Sequence, residues 1–272
     1  MVAMAGRGGY DVDHMVRSAL VPLCLFAATG CSAVVGSDNA ADAQAASVTG
    51  VVVVDRTVGE DSTRGEASAR FVRIRGTLDD GTLRLVGAGL DLPPVGECAV
   101  VQDQAAARAV ELLDVGAISI ESLGNGQHVA LSPRQVPDVV DLVSGTMYSA
   151  RIDEGSVPSD ADVAVLVGGS ADVPAFSVRA KTPEAPSAVQ LGSLDGQTTD
   201  LTWTAGGDGI YVDVGASRCT FADDGHASIP TSLFADQGSI TVHRVRREQL
   251  SIPGLDGGEL RFDFARTVAY RR

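Results

Sequence analysis

The stretch ELRFDFARTVAY near the C-terminus alternates apolar and polar side chains with a period of two. Leu260, Phe262 and Phe264 share one face of an extended chain, whereas Arg261 and Asp263 lie on the other. This period is typical of a β-strand that packs one face on a core. The sequence also holds 31 glycines and 11 prolines, which favour tight turns over long helices. We therefore predict an all-β protein.

Strand-like stretches recur from Val48 onwards and fall into two sets. Residues 181–187, KTPEAPS, separate them, because two prolines two residues apart favour an extended linker. We expect an N-terminal β-rich domain over residues 48–180. Residues 188–272 have the size of an immunoglobulin-like β-sandwich. The predicted fold is two such sandwich domains, with one short helix allowed over Gln102–Asp114, where QAAARAVELLD holds good helix formers.

Three connections carry turn or loop signals. The Asp-Gly pair in Thr77–Gly81 predicts a hairpin turn, because glycine accepts a positive φ. The acidic stretch Gly59–Glu66 is predicted to be a loop. Pro133 and Pro137 predict that Ser132–Asp138 is a loop or an edge strand.

The C-terminal part contains Leu201-Thr202-Trp203 followed by Ile210–Val214, IYVDV. These two stretches resemble the second and third strands of a fibronectin type III domain. The resemblance implies that Trp203 packs beneath the strand that carries Tyr211.

The N-terminal region contains a short apolar run, Ala19–Gly30, of 12 residues. A helix needs about 20 residues to cross a bilayer, whereas a run of this length is typical of a secretory signal peptide. The most natural start of that signal is Met15, which precedes Val-Arg and the apolar run. The run ends in Ala28-Thr29-Gly30-Cys31, which resembles the lipobox of bacterial lipoproteins.

That resemblance implies that residues 1–30 are removed and that Cys31 becomes the acylated first residue. Residues 31–47, small and polar, then form a flexible tether, and two or three acyl chains anchor the protein stably. Ser32 after the cysteine favours the outer membrane. The alternative is a secreted protein in which Cys31 is a buried thiol.

Two cysteines remain in the predicted mature chain, Cys98 and Cys219. In an oxidising compartment they could form a disulfide. Two separate buried thiols are an equal alternative, because spacing does not reveal pairing.

The formal net charge is −14, which opposes binding to nucleic acid. The expected partners are the membrane, through the lipid on Cys31, and envelope polysaccharide or protein. The segments GLDLPPVGEC, CTFADDG and GLDGGELRFDFAR resemble lipoproteins of the Myxococcus type from GC-rich deltaproteobacterial genomes. This resemblance implies a cell-envelope location and no particular chemistry.

Motifs of known catalytic chemistry are missing from the sequence. It has no Gly-x-Ser-x-Gly elbow, no Cys-x-x-Cys pair and no His-Glu-x-x-His motif. His128, His226 and His243 are predicted to lie on strand surfaces or in a turn. Asp223-Asp224-Gly225 and Asp79-Asp80-Gly81 could offer oxygens to Ca²⁺, but hairpin turns explain both. We predict no catalytic residue, metal site or cofactor.

The last 33 residues are rich in basic side chains on an acidic chain. Their positive charge could face an anionic polysaccharide or an acidic protein. The simpler interpretation is that they lie on outward strand faces and pair with neighbouring carboxylates. The residues concerned are His243, Arg244, Arg246, Arg247, Arg261, Arg266, Arg271 and Arg272, with Glu248, Asp256, Glu259 and Asp263 as the expected partners.

Taken together, these patterns predict a membrane-anchored, non-catalytic binding or structural module of the cell envelope. Its candidate recognition loops are Leu90–Glu97, Ser132–Asp138 and Gly206–Gly209. The alternative is an envelope hydrolase, or an accessory domain of one, that acts on polysaccharide or peptide. Paired carboxylates in a cleft would favour the hydrolase.

Overall fold

The computed structural model describes residues 46–75, 87, 89–90, 92–101, 110–139 and 143–272. This part of the chain contains strands and a single 3-10 turn, and no α-helix. The strands are β1 (Ala46–Val58), β2 (Thr63–Arg75), β3 (Cys98–Val100), β4 (Val110–Leu112), β5 (Ile118–Ser122), β6 (His128–Val139), β7 (Val143–Arg151), β8 (Asp162–Val167), β9 (Phe176–Lys181), β10 (Gln190–Leu191), β11 (Thr198–Thr202), β12 (Gly209–Val214), β13 (Ser217–Phe221), β14 (His226–Pro230), β15 (Gln237–Gln249) and β16 (Gly257–Arg271), and the 3-10 turn is Thr231–Leu233. The all-β prediction is confirmed.

Several predictions fall outside the described residues. They are the signal peptide, the lipobox with Cys31, all but the end of the tether, and the hairpin turn at Thr77–Gly81. None of the described residues forms a helix with the length and apolar character needed to cross a membrane.

The strands form one large mixed sheet and one small sheet. The large sheet has 13 strands in the order β3-β13-β12-β15-β16-β1-β2-β4-β7-β6-β5-β8-β9, and the small sheet has the order β10-β11-β14. Most neighbours are antiparallel, but β1 runs parallel to β16, from Thr49 opposite Gly257 to Val58 opposite Arg266. The first strand described is therefore joined to the last.

This pairing crosses the predicted linker at residues 181–187. Arg246 on β15 also donates hydrogen bonds to the carbonyl oxygens of Lys181 and Thr182, at 3.0 and 3.1 Å, and Thr182 is fully buried. The division into two sequential domains stays a prediction. The strand pairing shows that the two halves of the sequence share one sheet.

Two large apolar clusters account for the sandwich-like packing. In the first, side chains of β1, β2 and β16 pack against side chains of β5 and β8. In the second, the small sheet packs against β12, β13 and β15. The alternation in the last strand has the predicted sense, since Leu260, Phe262 and Phe264 are all buried in the first cluster.

Trp203 occupies the second cluster, together with Ile210 and Val212 of β12. Tyr211, between those two residues, points to the opposite face of the strand, where it contacts His243. The tryptophan therefore packs under the aliphatic side of β12. The tyrosine side of the same strand faces away from it.

The helix allowed over Gln102–Asp114 is wrong in its described part. Residues 110–112 form β4, which lies between β2 and β7 and pairs with both. Val110 and Leu112 are buried there. Helix propensity is a weak preference, and the gain from pairing and burial in the sheet outweighs it.

One loop prediction is corrected, and for a second segment the edge-strand alternative is confirmed. Gly59–Glu66 is a loop only in its first half, because β2 begins at Thr63. Ser132–Asp138 belongs to β6, but over Ser132–Val139 that strand pairs with β7 alone, and the register shifts between Val136 and Val139. A strand with one neighbour tolerates proline, which cannot donate to a second one.

Cys98 and Cys219 are joined by a disulfide. The two residues are direct neighbours on β3 and β13. Cys219 is buried in the second apolar cluster, whereas the three residues of β3 are all exposed. The disulfide and the pairing with β13 thus hold an edge strand that buries almost nothing itself.

Cys98→Ser should lower the free energy of unfolding by about 2–5 kcal/mol, because the disulfide closes a long loop in the unfolded chain. Cys98 is the better site for this test, since its side chain is exposed and a serine there buries no hydroxyl. Denaturant unfolding with and without reductant measures the effect. Reductant should destabilise the wild type and leave the variant unchanged, and equal stability of the two proteins without reductant would contradict the prediction.

Candidate functional site

Part of one face of the large sheet carries charged side chains, next to a small apolar cluster that includes Val51 and Val53 of β1. The charged side chains belong to six neighbouring strands, β13, β12, β15, β16, β1 and β2. On β16 they alternate with the buried residues of the first cluster, so they lie on the opposite side of the sheet. We call this surface the polar face, and its charged and aromatic members are Arg218, Tyr211, Asp213, His243, Arg247, Glu259, Arg261, Asp263, Asp55 and Glu66.

Asp263 is the centre of the polar face. Tyr211 donates its hydroxyl to Asp263 Oδ2 at 2.5 Å, and His243 Nδ1 lies 2.8 Å from Asp263 Oδ1. The rings of Tyr211 and His243 stack with their centroids 4.2 Å apart. Burial, followed by the charge of Asp263, raises the pKa of Tyr211 well above its usual range. Tyr211 is therefore a fixed hydrogen-bond donor to a carboxylate.

A second carboxylate closes this network from the other side. Asp213 accepts two hydrogen bonds from Arg218, at 2.8 and 2.9 Å, and lies 3.7 Å from His243 Nε2. The Arg218 guanidinium is 4.5 Å from the centroid of the Tyr211 ring. Two-point contacts of this kind fix both partners. His243 thus lies between two carboxylates. The network of residues named here contains no serine or cysteine that His243 could activate as a nucleophile.

A groove of about 560 Å³ opens beside the polar face. Its walls come from the ends of β1 and β2, which are hairpin neighbours, and from the end of β7. Most of the residues that line it are polar. The lining consists of Asp55, Thr57, Thr63, Arg64, Gly65, Glu66, Arg151 and Ile152.

Gly65 allows β2 to lie close to Ile152, the residue after β7, and both residues line the groove. A Cβ atom at residue 65 would lie 2.6 Å from Ile152 Cγ1 and 2.8 Å from Ile152 O, and the Ile152 amide donates to Gly65 O at 3.1 Å. A side chain would push the strands apart, so only glycine permits this close approach.

Asp55 is the most perturbed acid of the groove. Its side chain keeps an exposed edge, but partial burial, followed by the negative charge of Asp263, raises its pKa to about 6. The positive charge of Arg261 opposes this shift. A carboxyl group with a raised pKa in a groove is a typical functional candidate.

A larger hollow, of about 850 Å³, lies elsewhere, next to β8 and β9. Its lining includes Asp160, Asp162 and Lys181. Lys181 and Asp160 form an ion pair at 2.7 Å, and both side chains are largely exposed. Because this pair neutralises its own charge, we place the candidate site at the smaller groove, where Asp55 accepts no hydrogen bond from the described residues.

The basic residues near the C-terminus are paired, and only partly as predicted. Arg247 contacts Glu259, and His243 contacts Asp263. Arg246 instead binds Asp208, at 2.8 and 2.9 Å. Ion pairs therefore account for much of the basic cluster.

Arg244 departs furthest from the prediction, because it is fully buried. It contacts both oxygens of Asp223, at 2.9 and 3.0 Å, and Trp203 donates to the same carboxylate at 2.7 Å. Burial alone would raise the pKa of Asp223, but the hydrogen bonds from Arg244 and Trp203 hold it below its usual value. Asp223 is thus a structural anion in the core.

The carboxylate of Asp223 also holds a loop that the sequence suggested for recognition. The amides of Gly206 and Asp208 donate to Asp223 at 3.1 and 3.2 Å, so the candidate loop Gly206–Gly209 is tied to the core. No group of three or more His, Cys, Asp or Glu side chains converges on a metal position within the described ranges. Asp224, the residue after Asp223, accepts a hydrogen bond from the His226 amide at 3.3 Å, which is a contact typical of a turn.

The sequence reasoning missed Asp55, Glu66 and Tyr211 as site residues. In VVVVDRTV, Asp55 follows Val51 and Val53 on one face, and an acid there is a weak signal of a polar surface. Its position beside Glu66 and Asp263 depends on two strand registers. No spacing along the sequence contains that information.

Asp55→Asn should stabilise the protein at pH 7.5. The folded-state pKa of about 6 exceeds the usual value of about 3.9 for an unfolded chain. The folded state then binds more protons than the unfolded state between these values, so its stability falls as pH rises through that window. Thermal unfolding should show a higher midpoint for the variant at pH 7.5 and a shrinking difference towards pH 4.5.

Asp200→Asn, on the exposed part of β11, is the matched control and should show no such pH-dependent difference. An Asp55→Asn protein that is less stable than the wild type at pH 7.5 would contradict the prediction.

No protein-family model matches the chain. A search of curated proteins also found no match.

Proposed function

We propose that the protein is an exported, lipid-anchored module of the bacterial cell envelope that binds a polar ligand without catalysis. The observation that carries this proposal is the groove beside the polar face, in which Asp55 has no compensating donor among the described residues. Binding sites of this kind are often a few side chains held by a rigid scaffold. Here the scaffold is the large sheet and the hydrogen-bonded network around Asp263.

The disulfide supports an exported location. Disulfides persist in oxidising compartments and are rare in the cytosol, and the bond between Cys98 and Cys219 joins two sheet strands. The lipobox-like ending at Cys31 supports anchoring to a membrane, and Ser32 favours the outer one. Together these features support a position at the cell surface or in the periplasmic space.

A second candidate function, hydrolysis of envelope polysaccharide or peptide, is favoured by one observation. Asp55 and Glu66 are direct neighbours on antiparallel strands and both line the groove. Hydrolases of glycosidic bonds use two carboxyl groups in different protonation states. The raised pKa of Asp55 would suit the acid of such a pair.

Cys31→Ala should abolish lipid attachment, because the thioether needs the Cys31 sulfur. Whole-cell labelling with a radioactive lipid precursor, followed by isolation of the protein, measures this. Cys24→Ala is the matched control, since Cys24 lies in the segment expected to be removed, and it should keep the label. Equal label in wild type and Cys31→Ala would contradict anchoring at this residue.

The groove is tested by incubating the protein with insoluble envelope material and measuring both bound protein and released soluble fragments. Asp55→Asn combined with Glu66→Gln should reduce the bound fraction severalfold, whereas Asp200→Asn should not. Fragment release by the wild type that falls about 100-fold or more in either single variant would instead favour the hydrolase. Binding that is unaffected in the double variant would contradict the groove as the binding surface.

A further inference from the structure

Three carboxylates stand side by side across three adjacent strands. Glu66 on β2 faces Asp55 on β1, and Asp55 faces Asp263 on β16, each pair being direct Cα partners. Like charges placed directly opposite each other destabilise a sheet. Positive charge or hydrogen-bond donors near the row would offset this repulsion.

Asp263 has direct partners, whereas Glu66 has only an arginine opposite it on the neighbouring strand, with no ion pair between the two. Asp263 accepts from Tyr211 at 2.5 Å and contacts His243 at 2.8 Å. Glu66 faces Arg151, its Cα partner on β7. Asp55, in the middle, receives no hydrogen bond from any residue in the described ranges, and its raised pKa is the physical consequence.

Asp55 also has access to a ligand, because it lines the groove together with Glu66. The third carboxylate, Asp263, is largely buried and its two oxygens are already occupied. Only two acids are therefore free to face a ligand, which is too few for a metal ion held by side chains, and no larger group of His, Cys, Asp or Glu side chains converges within the described ranges. A single organic cation fits this arrangement better.

The same groove also carries positive charge, from β2 itself and from β7. Arg64 and Arg151 both line it, and both are exposed. Among the ion pairs between described residues, neither arginine has a partner within 4.0 Å. A purely cationic ligand would be repelled by these arginines, whereas a ligand with both charges would complement the acids and the arginines.

We infer that the groove binds an amphoteric ligand of the amino-acid or peptide type, with its ammonium group against Asp55 and Glu66 and its carboxylate against Arg64 and Arg151. This inference rests on the proposed function, in which the groove is the binding surface. It adds the chemical class of the ligand, which a general affinity for envelope material leaves open.

Binding should depend on pH through Asp55. The charged and titratable groups that face it are Glu66 and Arg64 from β2, Arg151 from β7, Asp263 and Arg261 from β16, and His243 from β15. An ammonium group needs the ionised form of Asp55. With a pKa of about 6, the affinity should be about tenfold lower at pH 5 than at pH 7.5.

Isothermal titration calorimetry with alanyl-alanine and its two blocked forms tests this inference. N-acetylation removes the ammonium group and C-terminal amidation removes the carboxylate, and the size of the ligand changes little. The free dipeptide should bind at least about tenfold more tightly than either blocked form, since each loses a charge-assisted contact. In Asp55→Asn combined with Glu66→Gln the free and N-acetylated dipeptides should bind equally, while Asp200→Asn should retain the wild-type preference.

Equal affinity of the wild type for free and blocked dipeptides would overturn the inference. So would the absence of binding below about 10 mM, a concentration that corresponds to very weak association. If envelope material still binds in an Asp55-dependent way, only the ligand class is wrong and the proposed function stands. If envelope binding is also independent of Asp55 and Glu66, the proposed function fails as well.

Discussion

The parallel pairing of β1 with β16 is the contact on which the rest of the structure depends. It joins the first and the last strand of the described chain along ten residue pairs. On one side of this seam lie Val52, Val54, Phe262 and Phe264, which belong to the same apolar cluster. On the other side Asp55 meets Asp263. One register therefore creates both the larger core and the centre of the polar face.

The two faces of the β1–β16 pair are stabilised by different interactions. The apolar side gains free energy from burial and needs only a period of two along each strand. The polar side must satisfy buried charges, because an unpaired one is costly. Asp263 is hydrogen-bonded by Tyr211 and contacts His243, whereas Asp55 has no such partner and lines the groove. This contrast between two adjacent carboxylates is the reason to look for a ligand at one of them.

The predictions that rested on local pattern agree best with the structure. Leu260, Phe262 and Phe264 are buried on one face, as their spacing predicts. The helix over Gln102–Asp114 failed in its described part because β4 gains two strand neighbours there, which propensity cannot reveal. The prediction that Arg244 lies on an outward strand face failed for a related reason. The position of Arg244 on an alternating strand suggested exposure, but the carboxylate of Asp223, which lies between β13 and β14, pairs with it inside the protein.

The amino-acid sequence by itself determined the all-β class, because alternation, glycine and proline act over a few residues. It also supplied the two cysteines, without deciding whether they pair. Only the tertiary structure decided that Cys98 meets Cys219, that β1 lies beside β16, and that Glu66, Asp55 and Asp263 form a row. These contacts join residues far apart in the chain, and their register depends on the packing of the whole sheet. The candidate site could therefore not be read from spacing along the sequence.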